Sequence, residues 1–169
     1  MTTKTEILDS AMEVLRSGGA LTIDAVARAV GITKPGVVHH FPTKEALSMA
    51  VVDHLLDGWE VELRELWGPG ADTVDRLRTY VEFAVLGDMD PADLAMLADP
   101  RLRSKLVVRW RERLDAWFGT SEDPAFIAAR LIADGAWIDR SLGLVELEAA
   151  QGAAVVAVVL ELMDKGARP

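Results

Sequence analysis

Apolar residues recur at helical intervals along almost the whole chain. Near the start, Ile7, Leu8, Ala11, Met12 and Leu15 share one face of a 3.6-residue repeat. No stretch alternates apolar and polar cleanly for six residues between turn signals, so no strand is predicted. Thr3-Lys4-Thr5-Glu6 has the spacing of a capping box ahead of the first helix, and Gly18-Gly19 ends it. Thr22 caps a second helix that runs to Val30, with Asp24 near its positive end, and Gly31 stops it. Thr33 caps a short third helix from Lys34 to about His40, with Pro35 in the first turn, where no N–H is missed. Pro42 breaks that helix. Thr43 then opens a long fourth one toward Trp67, closed by Gly68-Pro69-Gly70. Asp at a cap with Pro at the first helical position is a start signal, found at Asp90-Pro91, Asp99-Pro100 and Asp123-Pro124. These predict helices over 91–98, 100–118 and 124–143. Two more fit 73–87 and 146–165, the last closed by Gly166. The expectation is an all-α chain of nine helices without internal repeats.

Composition narrows the function. The 169 residues suffice for one domain, or one plus a small one, and half are hydrophobic with 27% charged, a globular balance. Without cysteine there is no disulfide scaffold, thiol nucleophile or cysteine-based metal site. The apolar run Gly152 to Leu160 is too short to cross a bilayer, and MTTKTEILDS lacks the apolar core of a signal peptide. A soluble, cytoplasmic protein is expected. The net charge is −9, which taken whole opposes wrapping an anionic polymer. Its distribution changes that picture. Residues 1–48 carry five basic and five acidic side chains, so the entire −9 lies beyond them. A neutral N-terminal segment with a few placed cations is compatible with a phosphate backbone, while an acidic body stays clear of it.

The segment IDAVARAVGITKPGVVHHF carries the sharpest signal. Two short helices meet at Gly31, where a tight turn needs a residue tolerant of positive φ. Ala27, four residues earlier, is small enough for a close crossing. Ile23, Val26, Val30, Ile32 and Val37 stand at the inward positions of a helix-turn-helix. The third helix then presents Thr33, Lys34, Gly36, His39 and His40 outward, and the N-terminal part of such a helix is what enters a major groove. Lys44, at the start of the next helix, is placed as a phosphate clamp.

Over residues 4–50, TIDAVARAVGITKPGVVHHFPTKEAL resembles the DNA-binding domain of the tetracycline-repressor (TetR) family of bacterial regulators. The resemblance lies in the Ala27/Gly31 turn, Thr33-Lys34, His40-Phe41 and Thr43-Lys44-Glu45. ARLIADGAWIDRSLGL is similar to the penultimate helix of one subgroup. The resemblance implies a homodimer, a nine-helix fold, an operator-binding domain over 1–48, and an effector-binding and dimerisation domain over 49–169. Carried over by position, Thr33, Lys34, His39 and Lys44 contact DNA, with Phe41 packed beneath; Thr22, Gly36 and Val38 complete the candidate DNA-binding set. One departure is visible: the family usually has Tyr where this chain has Val38, an aromatic that commonly touches phosphate or a base. The chain is also short for the family, which implies a small ligand domain.

Other features have a structural and a functional reading. Adjacent helical residues lie about 100° apart, so His39 and His40 do not share a metal readily, and no metal site or cofactor is expected. Arg101, Lys105, Arg109 and Arg113 form a stripe, read first as a solvated face paired with acids and second as an anion site. Five tryptophans, Trp59, Trp67, Trp110, Trp117 and Trp137, either fill the core or leave an effector pocket. Trp59, Phe83, Trp110 and Trp137, with Asp134 as a polar anchor, are the candidate effector residues. Gly135, Gly152 and Val156 lie in small-residue helices that suit close approach, either at an interface between two copies or within one subunit. Phosphate loops, nucleophile elbows and paired metal ligands are absent from the sequence. The reading is a repressor that an apolar or amphipathic effector releases from double-stranded operator DNA. The rivals are a helical small-molecule-binding protein or enzyme with a purely structural turn motif, and a helical adaptor module.

Overall fold

The computed structural model describes residues 2–88, 90, 92–95 and 103–166, and every regular element among them is a helix. In chain order these are α1 (Lys4–Arg16), α2 (Ile23–Val30), α3 (Lys34–His40), α4 (Lys44–Leu66), α5 (Thr73–Leu86), α6 (Ala92–Ala95), α7 (Arg103–Phe118), α8 (Pro124–Ser141) and α9 (Ala149–Gly166). The Asp99-Pro100 start and Arg101 lie outside the described residues. None of the described helices is long and apolar enough to cross a membrane.

Local chemistry sets the helix ends. The Thr3 hydroxyl accepts the Glu6 N–H at 3.2 Å while Glu6 accepts the Thr3 N–H at 2.7 Å, a complete capping box. That backbone hydrogen bond from Thr3 holds the Glu6 carboxyl below its ordinary value. Asp72 forms a second capping box, with Asp75, at the start of α5. Asp123 caps α8 by accepting the Ala125 N–H at 2.7 Å. Two ends differ from expectation by more than one residue. α8 stops at Ser141 because Gly143 turns left-handed (φ 64°) and the Leu144 N–H closes on Asp139 O at 2.9 Å. α9 starts at Ala149 rather than 146 because the Gln151 side chain reaches back to accept the Glu148 N–H, making Glu148 the cap.

The chain divides into two compact units, Met1–Gly58 with Asp90–Trp110, and Trp59–Met89 with Arg111–Pro169. The division falls within α4 and within α7. In the first unit α1 packs on α2 and on α6, and α2 packs on α3. Ile7, Ala11, Val26, Val37 and Leu47 are wholly buried there. Ile23, Val30 and Ile32, expected inward, are only half-buried, since helices of eight and seven residues cover one side of a small core. In the second unit α5, α8 and α9 pack pairwise around Tyr80, Leu63, Leu114 and Met163.

Gly152 illustrates how closely the second unit packs. A Cβ built on it would stand 2.8 Å from Leu86 Cδ2, and Val156 one turn on is also buried. Gly152 and Val156, expected at an interface between copies, therefore face inward. Their own chain's α5 supplies the close approach, which is the intrachain reading of these small residues. Gly135 is different, since no neighbouring atom lies within 4 Å of its would-be Cβ.

Candidate functional site

The turn between α2 and α3 is locked by backbone hydrogen bonds. Gly31 adopts the left-handed conformation (φ 77°), its N–H reaching Arg28 O, while the Ile32 N–H reaches back to Ala27 O at 3.0 Å. This pair of bonds is a Schellman closure, which a residue with a Cβ would strain. Ala27 is buried at the crossing. α3 then begins on Thr33, whose hydroxyl accepts the Gly36 N–H at 3.4 Å. A Cβ on Gly36 would meet Ile32 Cδ1 of the preceding turn at 3.3 Å.

α3 turns Val37 wholly into the core and leaves Thr33, Lys34 and His39 exposed, with Gly36, Val38 and His40 half-buried. Phe41 is buried beneath, with the Lys4 ammonium 5.4 Å from its ring centroid. The Lys34 ammonium rests on Asp24 of α2 at 2.9 Å, both side chains more than half exposed. Thr22 uses its hydroxyl to cap α2, accepting the Ala25 N–H at 3.0 Å. Lys44 lies exposed in the first turn of α4. His54 is held by Asp9 at 2.7 Å. Among the described residues no three His, Asp or Glu side chains gather as metal ligands would.

The cationic stripe of α7 is paired within each unit. Lys105 is bound to Glu45, and Arg109 grips Asp53 through two nitrogens at 2.6 Å each. In the second unit Arg113 reaches Glu60 at 3.0 Å. Burial pushes the Glu60 carboxyl up, but hydrogen bonds from Arg64, Arg113 and Trp117 outweigh it and hold the group below its ordinary value. Over its described members Lys105, Arg109 and Arg113 the stripe is thus an ion-paired face, the first of its two readings.

The expected effector residues are partly brought together. Trp59, Phe83 and Trp137 interlock edge to face, with centroids 6.0 Å apart for Trp59–Phe83 and 5.2 Å for Trp59–Trp137. All three are buried. Trp110 belongs to the other unit. Asp134 accepts the Tyr80 hydroxyl at 2.8 Å and the Arg130 Nε at 3.0 Å. Burial, reinforced by the Asp134 charge, pushes the Tyr80 hydroxyl well above its ordinary value, so it stays a donor.

The second unit holds a cavity of about 490 Å³ elsewhere, where the start of α5, the end of α7 and the start of α8 converge. Phe118, Phe126, Leu131, Asp115 and Arg130 are among its lining residues. A smaller one, of about 250 Å³, lies beside Gly135. Trp59, Phe83, Asp134 and Trp137 line neither, because the rings fill one another's space and the carboxylate is spent on Tyr80 and Arg130. The sequence carried no local signal for the larger cavity, whose walls join the start of α5 to the distant end of α7 and start of α8.

Residues 7–51 match the family described as bacterial regulatory proteins, tetR family, and residues 74–164 match the tetracyclin repressor-like C-terminal domain. The chain is similar to the HTH-type transcriptional regulator RutR of Escherichia coli K12, at 31% identity over 84 residues. That alignment takes in 47% of this chain and 40% of RutR, so the chain spans well under half the length of the curated relatives it matches. Two solved structures share the fold. Salmonella enterica GusR has a TM-score of 0.63 at 16% identity, covering 95% of this chain and 94% of its own. A candidate transcriptional regulator of Pseudomonas aeruginosa PAO1 has 0.64 at 18%, covering 97% and 91%. With both family domains matched in order along an all-helical chain, and the helix pair α2–α3 built as a DNA reader requires, the chain belongs to the TetR family of bacterial transcriptional regulators.

Proposed function

We propose that this regulator is a homodimeric repressor, without enzymatic activity, that leaves its operator when a small effector enters the second unit. The observation that carries the DNA-binding half is α3 itself: a helix locked at its start by the Gly31 turn, with Thr33, Lys34 and His39 facing solvent. Lys34, Lys44 and the hydroxyls of Thr22 and Thr33 serve phosphate, which positions the protein. His39 and the half-buried Gly36 and Val38 approach base edges, which specify. With Val in place of an aromatic, position 38 offers methyl contact rather than a hydroxyl donor, suiting a thymine methyl group. Residues 1–48 act as the DNA-binding domain and 49–169 as the effector and dimerisation domain.

The cavity supports effector control, being of the roughly 300–1,000 Å³ that small-molecule sites occupy. Dimerisation is supported by the outer face of the C-terminal half of α8 and its cap, where Ile138 and Leu142 are exposed beside Gly135. Exposed Ala154 and Val158 of α9 add small and apolar surface. A second copy packed on these helices buries that surface symmetrically and presents two recognition helices, so the preferred operator is a near-palindrome.

The experiment is an anisotropy titration of the purified protein against the DNA upstream of its own gene and against a scrambled duplex, with a promoter–reporter fusion alongside. Preference for the upstream DNA, and reporter output that rises when the regulator is deleted, are expected. Equal affinity for both duplexes would reject operator recognition. Reporter output that falls on deletion would make the protein an activator.

A further inference from the structure

We propose that the 490 Å³ cavity of the second unit selects a cation carrying an apolar body, an ammonium compound that Asp115 receives. This ligand class rests on the effector reading of the second unit and makes it specific.

The charges of the cavity wall favour a cation. Two charged side chains line it, Arg130 and Asp115. Arg130 is already neutralised, its Nε held between both Asp134 oxygens at 3.0 and 3.2 Å. Its guanidinium also lies over the Phe118 and Tyr80 rings, 5.5 and 6.0 Å from their centroids. Asp115 has no such partner, and among the described residues no cation pairs with it. It sits in the last turn of α7, at the helix's negative end, and that turn holds no basic residue.

The backbone offers no counterweight. Helix N-termini attract anions, and residues of the first turns of α5 and α8 line this cavity. Both N-termini are already capped by carboxylates. Asp72 takes the Val74 and Asp75 N–H groups at 2.8 and 2.9 Å, and Asp123 takes that of Ala125. An anionic ligand would therefore find the Arg130 charge already paired with Asp134 and the nearby N–H groups capped, and would face the Asp115 carboxylate. A cation finds Asp115 uncompensated, with Phe126 as an aromatic wall. The rest of the lining, Val74, Leu77, Ile127 and Leu131, accepts the apolar body, and Thr120 and Ser121 add hydroxyls.

The test uses three probes with one body and three charges: phenylbutylamine (an ammonium at neutral pH), phenylbutanol and phenylbutyrate. Each is titrated calorimetrically into the full chain without DNA. The amine is expected to bind roughly tenfold or more tightly than the alcohol, as a charge-assisted contact would give, and the carboxylate most weakly. Asp115→Asn should bring the amine down to the alcohol's affinity and leave the alcohol unchanged, while Asp115→Glu should keep the preference. Equal affinities, tightest binding of phenylbutyrate, or no binding of any probe would each overturn the proposal. Operator release is then measured with the same probes. An amine that binds with this charge preference yet leaves the DNA complex intact would reject the effector reading and keep the site. An uncharged compound that releases DNA while the amine does not bind would do the reverse.

Discussion

Asp24 is predicted to hold DNA affinity below what the recognition helix can deliver. In the free protein its carboxylate binds the Lys34 ammonium at 2.9 Å. Any phosphate that Lys34 contacts must compete with that pair. Both side chains are more than half exposed, so the pair is a surface salt bridge worth about 0.2–1 kcal/mol. Removing the competition by Asp24→Asn should tighten binding by roughly 1.4- to 5-fold. Relief of repulsion adds to this, because the Asp24 carboxylate then no longer faces the duplex within a Debye length of about 10 Å at 0.1 M salt. The same change costs stability. Asp24 lies in the first turn of α2, where a negative charge meets the positive end of the helix dipole and contributes about 0.3–1 kcal/mol. The variant should therefore melt slightly lower while binding DNA more tightly, opposite signs that general damage does not produce. Lys34→Ala is the complement. It should weaken binding and make the slope of log affinity against log salt shallower by about 0.9 for each phosphate no longer neutralised. The assay is fluorescence anisotropy of a labelled generic duplex across a salt series, since phosphate contacts are independent of sequence. An Asp24→Asn protein that binds no more tightly at low salt would refute the assignment of Lys34 to phosphate.

Three further outcomes follow from the same geometry. Gly135→Glu should yield a helical monomer by sedimentation, whereas Gly152→Glu should lose thermal stability first, because its side chain meets Leu86 within the subunit; a dimeric Gly135→Glu protein would move the interface off α8. Trp137→Ala removes a ring packed 5.2 Å from Trp59 and should cost about 3–5 kcal/mol in urea unfolding, and a loss under about 1 kcal/mol would show that the cluster is not core. The Glu60 carboxyl is depressed when folded, so its stabilisation is present above its unfolded value of 4.5 and is lost as pH falls through the lower folded value; Glu60→Gln should lower stability at neutral pH and flatten the acid limb of the melting-temperature profile, and a parallel profile would argue against the pairing.

The helices and the ends set by side-chain caps were legible because caps are local. Thr3 with Glu6, Thr33 and Asp123 each satisfy orphan N–H groups two or three residues away, so sequence spacing alone specifies the contact. The α2–α3 turn was legible for the same reason, since Gly31 needs a left-handed φ and Ala27 must be small. The DNA-facing side of α3 follows from helical periodicity once Val37 is inward. Long-range partners were not legible. The sequence permitted Gly152 to meet a second copy or its own chain, and only tertiary packing brought Leu86 against it. The five tryptophans fitted a filled core or a pocket, and whether rings leave space or fill it depends on centroid distances that no spacing encodes. Asp134 looked equally fit for a ligand or the surface, and it became the partner of Tyr80, 54 positions away. The cavity around Asp115 and Arg130 is of the same kind. Its walls come from three helix ends separated along the chain, and its charge balance depends on which carboxylates the helix termini have already engaged.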